Sequence, residues 1–384
     1  MPEREKLEVD VLFVGAGPAG LAGAYRLARL LRGEGAGQDG GSPPPSRPSI
    51  AVIEKAEKVG FHSLSGAVLD PRALRELFDG FPPADGPFHN PVRRDSFCLL
   101  TAKRKFRFPF LPPPLRNHGN YIVSLGEACR WLAGKVEEAG VDVFAGFAGV
   151  ELLRDGPRVV GVRTGDKGID RHGRRKPNYE PGIDILAKVT VLAEGPRGSL
   201  TKQLVHSDGL QEGRNPQVYS NGVKEIWELP EGRIGPGEVI HTFGYPLPND
   251  VFGGGFLYTM PGNLLLLGLV VGLSYRRPDV DAHREFQRFK LHPFLRSLLE
   301  GGRLVEYGAK AIPEGGWYSI PRMALPGALI LGDSAGLLNA QRLKGIHLAM
   351  KSGMVAAETI REALRRDEYD VTLAGFETAF RSSW

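Results

Sequence analysis

The run Val11-Leu12-Phe13-Val14-Gly15-Ala16-Gly17-Pro18-Ala19-Gly20 constrains this chain more than any other. Four apolar residues suited to a buried parallel strand pass directly into G-x-G-x-x-G. Leu21, Ala24, Leu27 and Leu31 then keep one helical face apolar. Each glycine has a separate task in such a turn. Gly15 allows the tight bend, Gly17 lets a pyrophosphate approach the backbone, and Gly20 lets the helix pack on the strand. Pro18 and Ala19 complete the turn, and the helix start offers free N–H groups and a positive dipole end.

A second apolar strand, Ile50-Ala51-Val52-Ile53, ends in Glu54 with Lys55 beside it. An acid at this place holds ribose hydroxyls, usually about 20 residues beyond the glycines. Here the interval is longer. Residues 32–48, mostly Gly, Pro, Ser and Arg without apolar period, account for the excess as a flexible surface loop. Glu54 is therefore the expected ribose ligand. An acid here, where an arginine would accept a 2′-phosphate, favours FAD or NAD over NADP.

With 384 residues, 42% hydrophobic and 24% charged, the chain reads as an ordinary globular protein of two or three domains. Two cysteines, Cys98 and Cys129, make neither a disulfide framework nor a cysteine-only metal cluster, which points to a reducing compartment. The charged opening residues lead straight into the first strand, so no signal peptide is expected. Residues 264–273, the longest apolar run, cover about half a membrane span. The net charge of +5 suits a solvated basic surface, an anionic membrane surface or an acidic partner. No nucleic-acid motif is present.

In chain order, residues 60–67 form a small polar loop able to pass close to a cofactor, with Ser65 and Gly66 as contacts. Residues 71–78 suit a short helix. From 81 to 120 the texture is proline, phenylalanine and arginine with little helical period, and 106–115 is unusually apolar for a loop. The pattern predicts a helix over 125–139, strands over 141–144, 150–153 and 159–163, and a polar hairpin extension over 166–184. The strand over 185–195 ends in Glu194 and Gly195. In open α/β sheets ligands lie beyond the carboxyl ends of parallel strands, so these two are expected to line the crevice of Gly15 and Gly17. Residues 217–308 are mostly β, with strands over 223–229, 238–245, 252–260 and 264–273 and a helix over 285–299. Apolar 328–331 then runs into Gly332-Asp333, followed by a helix over 345–364 that starts at Gly345. Asp333 is the candidate for ribityl hydroxyls. One fingerprint with a late Gly-Asp turn, and no second G-x-G-x-x-G, points to a flavin enzyme without a separate nicotinamide domain.

Taken together these residues resemble the electron transfer flavoprotein–ubiquinone oxidoreductase family. The likeness is carried by residues 14–21, 63–67, 117–123, 187–190 with 193–195, 253–258, 269–273, 284–290, 314–316 with 319–321, and 344–345 with 349–353. It implies an α/β fold with an α+β second domain. A Rossmann-like discontinuous FAD-binding domain (1–80, 121–205, 320–384) would carry an inserted, mostly antiparallel quinone-binding domain (81–120, 206–319). It also implies non-covalent FAD, electron transfer flavoprotein as donor, and ubiquinone or menaquinone as acceptor. The protein would be a monotopic membrane protein, on the cytoplasmic face of a bacterial inner membrane or the matrix face of a mitochondrial one. Gly253 and Gly254 would meet the quinone through their backbone, with Phe252 and Tyr258 beside them. Residues 106–115, with Val251 and Phe252, would dip into the membrane.

Two departures stand out. The family carries a C-terminal ferredoxin-like region with a 4Fe–4S cluster, which needs four thiolates. This chain has two cysteines, so either the sequence belongs to a longer protein or a separate ferredoxin-like subunit holds the cluster. Ser124 also stands where the family has an arginine. Alternatives that share the fold are a geranylgeranyl-reductase-like or hydroxylase-like enzyme acting on an isoprenoid or aromatic substrate, and a non-catalytic FAD-binding fragment.

Overall fold

Val11, Leu12 and Phe13 lose all solvent exposure, as does Leu21 on the helix that follows. Burying side chains of this size stabilises the fold by about 1.5–3 kcal/mol each. The computed structural model describes residues 4–33, 48–63 and 66–384. Most of the predicted loop 32–48 lies outside these residues, as does Ser65.

The first sheet is Rossmann-like. Its parallel strands lie in the order Ala328–Ile330, Asp184–Leu192, Lys6–Val14, Ile50–Glu54 and Asp142–Ala145. Arg158–Thr164 pairs antiparallel with the start of Asp184–Leu192 and with Gly149–Asp155. Helices pack on this sheet. The fingerprint helix, Pro18–Leu31, packs on the long helix, Ile346–Arg366, through a pair of glycines. A Cβ at Gly353 would lie 2.2 Å from the Ala19 carbonyl oxygen and 2.8 Å from the Gly23 nitrogen, so these helices touch backbone to backbone.

The second sheet has seven strands in the order Arg303–Pro313, Tyr219–Glu228, Leu264–Gly272, Gly253–Met260, Glu238–Gly244, Arg94–Leu100 and Lys105–Arg107. It is antiparallel except where Glu238–Gly244 runs parallel to Arg94–Leu100. Its two faces bury different partners. Leu265, Leu267 and Leu269 face Phe286 and Phe289 of the helix Ala282–Lys290. The alternate residues Leu266, Tyr258, Val239 and Ile226 pack with Ile122 and Val92. Glu225 and Lys290, 2.7 Å apart and both mostly buried, fasten that helix to the sheet.

Several boundaries differ from the sequence reading. The helix expected over 285–299 is two helices, Ala282–Lys290 and Pro293–Leu299. Pro293 has no N–H to continue the first, and His292 caps the second by accepting from the Phe294 N–H at 3.2 Å. The irregular texture of 81–120 conceals two strands, Arg94–Leu100 and Lys105–Arg107. Their signal was the alternate burial of Ser96, Cys98 and Leu100. Ser124 caps the helix Leu125–Glu138, its Oγ accepting from the Glu127 N–H at 3.3 Å.

Candidate functional site

The fingerprint turn is built on three adjacent strand ends. The Gly15 N–H donates to the Ile53 carbonyl at 2.8 Å and the Ala193 N–H to that of Val14 at 2.9 Å. Gly15 has φ of +112°, and a Cβ there would sit 2.4 Å from the Ala193 carbonyl oxygen. Gly20 is equally confined, with a Cβ falling 2.1 Å from the Gly15 oxygen. Gly17 differs. It caps the fingerprint helix without a side-chain hydrogen bond, Pro18 follows at the first turn, and an added Cβ meets nothing within 4 Å. Two glycines are thus consumed by packing, and the third leaves an open approach to a helix N-terminus.

Glu54 closes one side of this approach. Its carboxylate accepts from the Ala16 N–H at 3.0 Å and from the Ala56 N–H at 2.9 Å. Each carboxylate oxygen retains an acceptor site. His62 Nδ1 stands 4.0 Å from the same carboxylate, and Lys55 is exposed beside it. Gly66, at φ +103°, lies against the second sheet, where a Cβ would come 3.0 Å from that of Leu266.

The late Gly-Asp turn meets the fingerprint directly. Gly332, at φ +59°, would bring a Cβ within 2.9 Å of the Ala19 Cβ, and its N–H donates to Ser352 Oγ at 3.1 Å. Burial pushes the Asp333 carboxyl up to about 6, opposed by the charge of Lys310. Ser334 Oγ donates to the Gly195 carbonyl at 3.2 Å and so joins the two loops. Gly195, at φ +79°, also opens on free space. The Glu194 side chain is occupied elsewhere. It accepts from the Thr201 N–H and hydroxyl, both at 2.8 Å, and holds the start of the helix Ser199–Ser207. A cleft of about 410 Å³ adjoins these loops, lined among others by Gly195, Thr201, Gln217, Ser319 and Asp333. Gly345 caps the long helix with no side-chain hydrogen bond. Open backbone at Gly17 and Gly195, a carboxylate at Glu54 and a half-buried acid at Asp333 are the chemistry a dinucleotide requires. The residues fit one.

On the second sheet, Phe252 is 64% exposed, whereas Val251 is buried, so the expectation that both reach outward is corrected at Val251. Gly253 has φ of +150°. A Cβ at Gly253 would lie 2.1 Å from the Val270 carbonyl oxygen, and one at Gly254 would lie 2.4 Å from that of Thr242. Strand packing alone therefore demands both glycines. Tyr258 is buried, its hydroxyl 3.1 Å from His241 Nε2. Sequence reasoning passed over His241, because its partner lies on a neighbouring strand and only register joins them.

In the loop 106–115, Phe106 and Phe110 are exposed, while Phe108 stacks with Phe97 and Phe243 at 5.6 and 5.7 Å between ring centres. Among the described residues no helix is long and apolar enough to cross a membrane. Cys98 and Cys129 are free, buried thiols, and burial pushes Cys129 up to about 12.

A family model described as ETF-QO, ubiquinone-binding, matches residues 219–312, most of the second sheet. The chain is 44% identical over 388 residues to the electron transfer flavoprotein-ubiquinone oxidoreductase of Pseudomonas aeruginosa, covering 100% of this chain and 69% of that protein. It is 44% identical to the mitochondrial protein of Oryza sativa subsp. japonica, over 94% of this chain and 61% of that one. For the mitochondrial protein of Homo sapiens the identity is 42%, over 100% and 62%. The chain thus spans about three fifths of the rice and human proteins, at 61% and 62% of their lengths. Among solved structures, a geranylgeranyl bacteriochlorophyll reductase-like protein from Thermoplasma acidophilum superposes with a TM-score of 0.72 at 18% identity, covering 98% of this chain and 84% of that one. A flavin-dependent brominase gives 0.66 at 16% identity, over 97% and 84%. At such identities the likeness is one of fold.

Proposed function

The chain belongs to the electron transfer flavoprotein–ubiquinone oxidoreductase family, and from that premise we propose that it is an FAD-dependent enzyme passing electrons from reduced electron transfer flavoprotein to a membrane quinone. The observation that carries this reading is the contact of Gly66 with Leu266. It sets the nucleotide cradle against the sheet whose sequence matches the ubiquinone-binding model.

In this reading FAD is held non-covalently, and when bound it supplies the two-electron redox chemistry. The chain's own residues do the holding. The pyrophosphate lies at the open backbone of Gly17, Pro18 and Ala19, supported by Gly15 and Gly20. The adenosine ribose takes the spare acceptor sites of Glu54, with Lys55 near. Gly195, Gly332 and Asp333 face the ribityl chain, and Gly66 and Gly345 border the ring. Glu194 contributes by holding its loop, since its carboxylate is spent on the Ser199–Ser207 helix. The quinone enters past Phe252 toward Gly253 and Gly254, with Tyr258 deeper in the same sheet.

The protein is peripheral or monotopic in this reading. It inserts Phe106, Phe110 and Phe252 into the cytoplasmic face of a bacterial inner membrane, or the matrix face of a mitochondrial one. Two buried thiols cannot hold a 4Fe–4S cluster, so a cluster in this system belongs to a further part of the protein or to a ferredoxin-like subunit. The test is to load the protein with FAD, reduce it chemically without oxygen, and add a short-tailed quinone. Return of the yellow, oxidised flavin far faster than with free flavin is expected. Reoxidation at the free-flavin rate would refute the quinone assignment.

A further inference from the structure

The register of the second sheet sets a few polar side chains among apolar ones on the face turned toward the cradle. Lys224, Gly268, Phe256, His241 and Phe97 form one row across five strands. The next row carries Ile226, Leu266, Tyr258, Val239 and Asp95. Gly254 precedes Phe256 by two residues and so shares its face. His241 is directly opposite Phe256, which makes both Gly254 and Tyr258 its diagonal neighbours on that face.

His241 is 6% exposed and its Nε2 is within hydrogen-bond distance of Tyr258, yet its Nδ1 is a buried atom without a hydrogen-bond partner. One oxygen of Asp95 is in the same condition. The Nδ1 of His241 thus leaves hydrogen-bonding capacity beside the buried pair that a ligand can take up. A quinone needs a proton at each oxygen once electrons arrive.

We propose that His241 donates the proton that a quinone oxygen takes up at Gly254, with Tyr258 as the positioning residue that sets its tautomer. The inference rests on the quinone reading of this sheet. The quinone takes two electrons, from the flavin of the proposed function, and two protons. One of these protons comes from His241: its N–H bond breaks as an O–H bond forms on the acceptor, and the other ring nitrogen takes the phenolic hydrogen of Tyr258. Solvent supplies the second proton to the acceptor's other oxygen, the hydrogen that restores Tyr258 and the tautomer exchange that resets the ring. The charged groups whose fields reach the pair are Lys344, which faces His241 from the loop before the long helix, and Asp95, which faces Tyr258 from Arg94–Leu100. Burial, helped by Lys344, holds the imidazole down at about 4. It therefore stays neutral at physiological pH and works by exchanging tautomers.

The test compares two acceptors on the same pre-reduced, FAD-loaded protein. Ferricenium takes an electron and no proton, and a short-tailed quinone takes both. In His241→Gln the quinone-to-ferricenium rate ratio is expected to fall about 100-fold. Tyr258→Phe keeps the ring that stacks on Phe256 at 4.8 Å, so it folds, and it should lower the ratio less. A second readout needs no turnover. The nitrogen-15 shifts of His241 should report a neutral ring from pH 5 to 8, with the tautomer balance changed in Tyr258→Phe. Unchanged ratios in both folded variants, in a protein that does reduce quinone, would overturn the proton transfer alone. A wild-type protein that reduces ferricenium and no quinone would overturn the quinone reading together with it.

Discussion

Glu54 Oε2 accepts a hydrogen bond at 3.0 Å from the N–H of Ala16, inside the glycine fingerprint. The acid that ends the second strand thus braces the turn that ends the first. Glu54→Ala should loosen the turn and remove the proposed ribose contact together, so purified protein should carry much less flavin, read as the 450 to 280 nm absorbance ratio. Glu54→Gln keeps one acceptor oxygen and should retain an intermediate amount.

The fingerprint glycines should separate by experiment. Gly15→Ala forces a left-handed residue and a 2.4 Å clash with backbone, and should destabilise the apo-protein by about 3 kcal/mol or more. Gly17→Ala places its methyl in open space. Its apo-protein should melt with the wild type while FAD affinity falls sharply. Calorimetry with and without FAD distinguishes the two outcomes, and equal melting of both variants would count against the packing account.

Gly254→Ala should act first on the fold. Its Cβ is directed at the Thr242 carbonyl oxygen, so melting of the flavin-free protein should drop and any loss of quinone reduction would be ambiguous. Phe252→Ser is the cleaner probe of the quinone path. The ring is largely exposed, so stability should hold while quinone KM rises.

Membrane contact should depend on Phe106 and Phe110. Phe106→Asp with Phe110→Asp is expected to weaken liposome co-sedimentation while flavin content is kept. Phe108→Asp would instead disturb its stack with Phe97 and Phe243 and lower stability.

Asp333 gives the apo-protein a pH signature. Its carboxyl titrates at about 6 in the folded chain against 3.8 for the unconstrained group, chiefly through burial. Between those values the folded state keeps a proton that the unfolded state has released. Stability from this group therefore falls as pH rises from about 4 to about 6 and stays lower above that. Asp333→Asn should melt with the wild type near pH 4 and be more stable, by on the order of 1–3 kcal/mol, at pH 7.5. The same slope in wild type and variant would show that Asp333 is not its source.

What could be read from residues alone was whatever short-range pattern determines. The fingerprint helix, the turn at Gly332-Asp333 and the strands over 238–245 and 264–273 lie within a residue or two of their observed bounds, and the fingerprint strand, read from Val11, begins at Lys6. The Arg94–Leu100 strand was hidden because prolines and arginines on either side drown a short alternation. Pairing was out of reach altogether. Gly254 was legible as a residue that tolerates no side chain, but whether a ligand or the Thr242 carbonyl forbids one depends on register. Glu194 was placed at the right strand end, yet its carboxylate turns to a helix that only the folded loop brings near. His241 went unnoticed, because only the register brings Tyr258 diagonally beside it.

The Gly23–Gly353 contact has a consequence for how the chain is made. The fingerprint helix leaves the ribosome well before the helix that covers it. At about 5–20 residues per second, the apolar flank of the early helix waits tens of seconds for its cover. During that wait the half-finished cradle is exposed to proteases and to chaperones that hold apolar segments. Slowed translation between these two glycines should lower the yield of folded protein more than slowed translation anywhere after Gly353.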